Sequence, residues 1–140
     1  MNTLESIMEF KSYPNWVSSR LQVAICNNVS PKDKYYIQNY QESQQRKNDN
    51  NGCAIFQTDK ELIEVRFTFK QTIVKRYNLN QVINVEKIIE TSDEDFISNS
   101  DVQYKTVIVE FINGTKLTLT KPEININDNQ KKYFEIASNL

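Results

Sequence analysis

The stretch that decides the fold is 107-VIVEFINGTKLTLT-120. Apolar side chains recur at every second position from Val107 to Phe111, and Leu117 and Leu119 continue that period. A period of two is typical of a strand with one buried face. The Asn-Gly pair between the two halves favours a two-residue type I′ turn, in which both central residues have positive φ angles. The sequence therefore predicts an antiparallel hairpin here.

The alternation extends toward the N-terminus as far as Cys53. Apolar side chains between residues 62 and 70 alternate with Glu64, Arg66 and Thr68, which predicts a half-buried antiparallel strand. The segment Val82–Ile89 carries two interleaved apolar sets, as expected of a strand covered on both faces or lying at a sheet corner. The predicted meander has about six strands: one beginning at Cys53, then Ile63–Phe69, Thr72–Asn78, Val82–Ile89 and the two strands of the hairpin.

An amphipathic helix is predicted at the end of the chain. Tyr133, Ile136, Ala137 and Leu140 lie at positions i, i+3, i+4 and i+7 of one helical face, and Asp128 is the expected N-cap. Such a helix covers the apolar face of an antiparallel sheet.

Residues 1–52 are predicted to form a helical N-terminal part. A first helix is expected over residues 3–11 and a second from Asn15, because apolar residues recur at helical spacing in both. The clearest start signal is Ser30-Pro31, an N-cap residue followed by a proline suited to the first turn. The expected apolar face of this third helix consists of Tyr36, Ile37 and Tyr40.

We therefore expect an α+β fold in a single domain over residues 1–140. A helical N-terminal segment, residues 1–52, precedes a bent antiparallel sheet that a C-terminal helix caps, residues 53–140. The length is that of one ordinary domain, which can bury a core without disulfides or metals.

Four segments within residues 53–140 resemble bacterial pleckstrin-homology-like domains of the PH and GRAM type. They match the first hairpin turn, the entry to the fourth strand, the turn of the last hairpin and the closing helix, here Thr58–Ile63, Tyr77–Val85, Phe111–Thr115 and Tyr133–Leu140. The resemblance implies a strongly bent meander sheet closed by the C-terminal helix. Full PH domains have a seventh strand, for which Glu123–Asn127 is the only candidate.

The resemblance also raises phosphoinositide binding, because lipid-binding PH domains hold phosphates with several Lys and Arg side chains in the first hairpin. The corresponding turn here is Asp59-Lys60-Glu61, one base between two acids. Two carboxylates would repel a phosphate at this position. Phosphoinositide binding is therefore not expected.

The composition excludes several kinds of chemistry. The chain has 17 Lys and Arg, 18 Asp and Glu, two Cys, two Gly and no His. Without His there can be no Ser-His-Asp triad, no imidazole acid or base and no His-ligated zinc. The net charge of -1 argues against binding nucleic acid by general phosphate neutralisation. No cofactor is expected, and Cys26 and Cys53 are interpreted as buried thiols.

Three sets of charged side chains keep other functions open. The acidic stretch Glu90–Asp101 offers carboxylates to a divalent metal, although it lacks the EF-hand spacing. Glu64 and Glu110 would face each other across strands in an enzyme that uses paired carboxylates. A basic patch next to Tyr77, suited to single-stranded nucleic acid, would consist of Lys70, Lys75 and Arg76 with Lys105 or Lys116.

Aromatic side chains carry the leading hypothesis. Tyr and Trp combine apolar area with a polar tip, and both are enriched at protein interfaces. The candidate partner-binding residues are Trp16, Tyr36, Tyr40 and Phe96. We expect a non-catalytic interaction module that binds a protein through a groove or an open strand edge. The alternatives are a metal-assisted carboxylate enzyme and a weak single-stranded nucleic-acid binder.

The sequence also predicts a location and a setting. No apolar run reaches the roughly 20 residues of a membrane-spanning helix. Met1–Glu5 lacks the basic and apolar regions of a signal peptide, so a cytoplasmic location is expected. Abundant Asn, Ile and Lys are typical of AT-rich coding, and the chain resembles the small proteins of Gram-positive phages and prophages. A host or phage protein would then be the partner.

Overall fold

The computed structural model describes residues 12–28, 34–43, 45–46, 49–89 and 104–140. The predicted helix over residues 3–11 and the acidic stretch Glu90–Asp101, which includes Phe96, lie outside these residues. The elements are α1 (Asn15–Asn28), β1 (Lys34–Gln41), β2 (Asn51–Gln57), β3 (Glu61–Thr68), β4 (Thr72–Asn78), β5 (Val82–Ile89), β6 (Tyr104–Phe111), β7 (Lys116–Thr120) and α2 (Asn129–Ser138). No helix within the described residues combines the length and the apolar character that crossing a membrane requires.

The strands pair as two antiparallel sheets. The first sheet has the order β1-β2-β3-β4 and the second has the order β5-β6-β7. The predicted α+β class and the C-terminal helix are therefore confirmed. The described residues form seven strands rather than about six, and these are divided between two sheets.

The strand β1 corrects the largest error of the sequence interpretation. Lys34–Gln41 pairs antiparallel with β2 and is not part of a helix that begins at Ser30. Tyr35 and Ile37 belong to one core and Tyr36 to another, so three consecutive side chains are buried. Burial on both faces removes the alternation by which a strand is identified, and aromatic and β-branched residues favour the strand. Of the helical N-terminal part, α1 is confirmed.

The outer face of the first sheet, which is the face that α1 covers, carries the first core. Val17, Leu21 and Ala24 of α1 are buried against side chains of β1, β2 and β3. The Arg20 guanidinium donates hydrogen bonds to the backbone carbonyls of Thr68 and Phe69 and so fixes α1 at the end of β3. The sheet residues of this core are Tyr35, Ile37, Ala54, Phe56, Ile63, Val65 and Phe67.

The inner face of the first sheet is the opposite face, and it carries the second core. Tyr36, Ile55 and Leu62 pack there against the second sheet and α2. The partners of these residues are Val107, Val109, Phe111, Leu117, Leu119, Tyr133, Ile136 and Ala137. The predicted buried positions of the hairpin and of the C-terminal helix are therefore confirmed, with Leu140 partly buried beside them.

Asn129 connects α2 to β1. Its buried side chain forms with the edge of β1 the pair of hydrogen bonds that the backbone of a neighbouring strand would form. Oδ1 accepts from the Ile37 N–H at 2.8 Å, and Nδ2 donates to the Ile37 carbonyl at 2.8 Å. The same amide donates to the Ile124 carbonyl at 2.9 Å. Asp128 has a left-handed backbone conformation and makes no side-chain capping bond, so the prediction that it caps α2 is wrong.

The predicted β6–β7 hairpin is confirmed, but with a different turn. The Gly114 N–H donates to the Phe111 carbonyl at 2.8 Å, and the Phe111 N–H donates to the Thr115 carbonyl at 2.9 Å. Gly114 has a φ of 86°, whereas Asn113 is not among the residues with positive φ. The loop is therefore a three-residue turn with a glycine bulge rather than a type I′ turn.

The strand β5 is more exposed than its sequence predicts. It pairs with β6 on one side only and forms an edge of the second sheet. Ile83, Ile88 and Ile89 are exposed. Of the two interpretations of this strand, coverage on both faces is therefore wrong, and a position at a sheet corner stays a prediction.

Candidate functional site

An open groove of about 790 Å³ lies between β7 and the inner face of the first sheet. We call it the β7 groove. The residues that define it are Gln38 of β1, Cys53 of β2, Glu64 and Arg66 of β3, Lys75 of β4 and Lys116 of β7.

The groove exists because the inner face changes character along β3. Leu62 is fully buried, Glu64 is 9% exposed and the Arg66 side chain is 63% exposed. The neighbours on β4 change from apolar to charged in the same direction, with Tyr77 beside Leu62 and Lys75 beside Glu64. Burying a charged group without a partner costs free energy. The second sheet therefore covers the apolar end of this face and leaves the polar end open.

The β7 groove is electropositive. Arg66, Lys75 and Lys116 supply three cations, and Glu64 supplies the one carboxylate among the lining residues. Arg66 Nε lies 3.8 Å from Glu64 Oε1, the outer limit of an ion pair. Within the described residues, neither lysine has an ion-pair partner. The excess positive charge is therefore available to an anionic ligand.

The free edge of β7 faces the same groove. β7 pairs with β6 only, and the Thr120 N–H donates to Gln38 Oε1 at 3.1 Å on the opposite side. Backbone groups alternate in direction along a strand, so those of Thr118 and Lys116 point the same way as those of Thr120. Among the described residues, Gln38 is the one that bonds to this edge. Within the described part of the chain, the backbone N–H and carbonyl groups of Lys116 and Thr118 at this edge have no hydrogen-bond partner.

The hydroxyl and thiol groups beside the groove are protonated at neutral pH. Burial raises the pKa of Cys53 from 9.0 to about 12. Burial also raises the pKa of Tyr77 and, well above its ordinary value, that of Tyr36. A thiol reacts as its thiolate, so Cys53 is an inert group rather than a nucleophile. The interpretation of Cys53 as a buried thiol is confirmed, while the Cys26 side chain is outside the described residues.

The structure separates the predicted partner-binding aromatics. Tyr36 is fully buried, and its hydroxyl donates to Gln38 Oε1 at 2.9 Å, so the prediction that Tyr36 contacts a partner is wrong. Trp16 and Tyr40 are partly buried on the outer-face core, with ring centroids 6.4 Å apart. The Trp16 indole donates to Glu42 Oε1 at 2.6 Å. These two residues lie away from the groove, and their role in binding stays a prediction.

The predicted basic patch is divided. Lys75 and Lys116 line the β7 groove together with Tyr77. Arg76 is engaged elsewhere, because its guanidinium donates to both carboxylate oxygens of Glu61. Lys70 and Lys105 do not line the groove.

The predicted carboxylate pair does not form. Glu64 lies on β3 opposite Lys75, whereas Glu110 lies on β6 opposite Lys116. The two acids therefore belong to different sheets, and each has a lysine as its cross-strand neighbour. The prediction that they face each other across strands is wrong.

The turn that was matched to the first hairpin of PH domains is not the first hairpin of this chain. Thr58–Glu61 connects β2 to β3, as the bond from the Thr58 N–H to the Glu61 carbonyl at 2.9 Å shows. Because β1 precedes β2, this turn belongs to the second hairpin. The first connection runs from β1 to β2 over residues 42–50.

Sequence reasoning missed Gln38 and Thr118, which shape the free edge. Gln38 was hidden inside a predicted helix, and its contact with Thr120 joins residues 82 positions apart. One signal for Thr118 was available. The last strand of a meander is an edge strand, and its outward residues here are the polar Lys116, Thr118 and Thr120.

In the part of the chain that the structure describes, no group of three or more Cys, Asp and Glu side chains is placed to hold a metal ion. The predicted metal ligands of Glu90–Asp101 lie outside that part. Comparison with protein-family models, with curated proteins and with solved structures finds no match to this chain.

Proposed function

We propose that this chain is a non-catalytic interaction module that binds an extended segment of a partner protein in the β7 groove, as an additional strand beside β7. The observation that carries the proposal is the free edge of β7, whose backbone groups at Lys116 and Thr118 face a groove of about 790 Å³. An extended peptide satisfies such an edge with main-chain hydrogen bonds.

The contact between Gln38 and Thr120 supports this mode of binding. The Gln38 side-chain amide supplies an acceptor to the Thr120 N–H, which is what the carbonyl of an added strand would supply to Thr118 and Lys116. Gln38 is itself held by the Tyr36 hydroxyl. The end of the groove is thus preorganised, and preorganisation lowers the entropic cost of binding.

The groove favours binding over catalysis. Its thiol is protonated, with a pKa of about 12 for Cys53, and its single carboxylate, Glu64, lies beside Arg66 and Lys75 rather than beside a second acid. General acid–base chemistry by a carboxylate pair needs two acids at one site. Within the described residues no cluster of three or more acidic or thiol side chains offers a metal site for a metal-assisted reaction.

The PH-like assignment remains part of the proposal. Seven strands in two sheets followed by a helix support it, because β1 supplies the seventh strand that the sequence pattern lacked. The candidate Glu123–Asn127 is not needed for that role, since it precedes α2 without forming a strand. With this assignment we propose a cytoplasmic module whose partner is a host or phage protein.

The test is a selection from a library of fully randomised dodecapeptides displayed on a surface, with immobilised wild-type protein as the bait. Thr118→Pro removes the N–H that faces the groove, and proline is tolerated on an edge strand whose N–H points outward. Thr118→Val is the matched control, because it keeps the N–H and the shape.

The proposal expects peptides that bind the wild type and Thr118→Val but not Thr118→Pro, with equal thermal stability of the three proteins. Backbone amide shifts of Thr118 and Lys116 in NMR titrations would locate the contact. Peptides that bind all three proteins equally, or a library that yields none, would overturn it.

A further inference from the structure

We infer that the segment accepted by the β7 groove is acidic, with carboxylates at alternate positions of the added strand. This inference rests on the proposed function and names the chemistry of its partner. It goes beyond edge pairing, because main-chain hydrogen bonds alone carry no preference for charge.

The first step is the balance of charge in the groove. Among the described residues that line the groove, three cations, Arg66, Lys75 and Lys116, outnumber one carboxylate, Glu64, and Glu110, the cross-strand neighbour of Lys116, does not line it. The closest opposite charges are 3.8 Å apart, between Arg66 Nε and Glu64 Oε1. Like charges across an interface are repelled and opposite charges attracted. A basic segment would therefore be rejected here and an acidic one accepted.

The second step is the position of the cations relative to the edge. Lys116 lies on β7 itself, while Arg66 and Lys75 lie on the inner face of the first sheet across the groove. Successive side chains of a strand point to opposite faces. Residues i and i+2 of an added strand would thus face the first sheet together, which predicts acids with that spacing.

The third step distinguishes a protein segment from a nucleic acid, which is also anionic. Binding of single strands combines cations with aromatic rings on which bases stack. Tyr77 is the tyrosine of the groove, and its ring already stacks on Phe111, with centroids 5.0 Å apart and an interplanar angle of 23°. The free strand edge can form main-chain hydrogen bonds with a peptide, and it contributes nothing to base stacking.

The experiment reads the composition of the peptides selected above and then measures the affinity of one of them. The expected result is enrichment of Asp and Glu over the input library at positions i and i+2. The double variant Lys75→Glu/Lys116→Glu should weaken binding of that peptide by about tenfold or more, and added salt should weaken the wild-type complex. The double variant Lys60→Glu/Lys131→Glu, at two exposed positions outside the groove, is the control for the same change of net charge.

Glu64→Gln provides a test of opposite sign. It removes the one carboxylate among the described lining residues, so an acidic peptide should bind more tightly and its Lys-substituted counterpart should not bind. If affinity for the acidic peptide falls instead, the carboxylate takes part in recognition and the inference is wrong.

The two proposals fail in different ways. Selected peptides that are neutral or basic, and that no longer bind the Thr118→Pro variant, would overturn the inference of an acidic partner segment. The proposal of strand addition beside β7 would still stand. Peptides insensitive to Thr118→Pro would overturn both. A fluorescent dT12 probe serves as the nucleic-acid arm, and its binding to the groove in the absence of any selected peptide would also overturn both.

Discussion

The two ends of the inner face of the first sheet are formed by the same strands, but one end is buried and the other is open to solvent. At one end Tyr36, Ile55 and Leu62 are fully buried under the second sheet and α2. At the other end Arg66 and Lys75 line an open groove. The difference arises within a few residues of each strand, where apolar side chains give way to charged ones.

The contrast teaches that the extent of the core is fixed by the chemistry of one face rather than by the length of the strands. β3 continues to Thr68 and its outer face stays apolar to Phe67. Its inner face becomes charged at Glu64. The strand is held in place by α1 on its outer face, which lets the inner face end in polar groups without loss of the fold.

The largest effect expected from this contrast compares two substitutions on the same face of β3. Leu62→Ala removes a fully buried side chain and should lower the free energy of unfolding by about 2–5 kcal/mol. Arg66→Ala removes a side chain that is 63% exposed and should change it by less than about 0.5 kcal/mol. Urea denaturation followed by circular dichroism measures both. Similar losses for the two variants would mean that the open end is part of the core.

The next largest effect is expected at Asn129, whose side chain joins α2 to β1 at the buried end. Asn129→Ala removes three hydrogen bonds that satisfy the Ile37 N–H and the carbonyls of Ile37 and Ile124. Because buried backbone groups left without partners are costly, the free energy of unfolding should fall by about 2–3 kcal/mol. Asn129→Asp is the informative control. It keeps the acceptor but loses both donors, and it should be destabilising as well. Full stability of Asn129→Ala would show that water replaces the amide.

A smaller effect is expected at the boundary between the two ends, where Cys53 lies. Burial raises the pKa of its thiol from 9.0 to about 12, so above pH 9 the unfolded chain loses a proton that the folded chain keeps. Stability therefore falls as the pH rises from 9 toward 12. Burial likewise raises the pKa of Tyr133 to about 12, so the wild type alone cannot isolate the thiol.

The difference between the wild type and Cys53→Ala isolates it. Between pH 8 and pH 10.5 the wild type should lose about 1–2 kcal/mol more than the variant does. Chemical denaturation at matched ionic strength gives both curves. Parallel curves would show that the thiol is solvated in the folded chain.

The sequence predicts those elements whose faces differ in exposure. β7 alternates buried Leu117 and Leu119 with exposed neighbours, and α2 has one buried stripe. β1 does not alternate, because α1 covers one of its faces and the second core covers the other. Its residues at helical spacing were therefore assigned to a helix.

The site depends on tertiary contacts that the sequence does not encode locally. That Glu64 and Arg66 share a face was predictable from the period of two. That this face forms a groove depends on where β7 lies, as the contact between Gln38 and Thr120 illustrates. The opposed Glu64 and Glu110 were a plausible pairing that only the division into two sheets excludes.

The smallest effect is expected at the Glu61–Arg76 pair, which joins β3 to the edge strand β4 on the outer face of the first sheet, away from both ends of the inner face. The Arg76 guanidinium donates to Glu61 at 3.0 Å, and this hydrogen bond holds the pKa of Glu61 below 4.5. The pair therefore stabilises the fold above pH 4.5 and loses its effect as the pH falls and Glu61 is protonated. Since exposed ion pairs contribute little, Arg76→Gln should cost only about 0.2–1 kcal/mol at pH 7 in low salt. In 1 M salt, and at a pH low enough to protonate Glu61 in the folded chain, the wild type and Arg76→Gln should unfold at the same urea concentration. A difference that persists under those conditions would mean that Arg76 acts through packing of its aliphatic stem, and the boundary of the structural core would then have to include this edge.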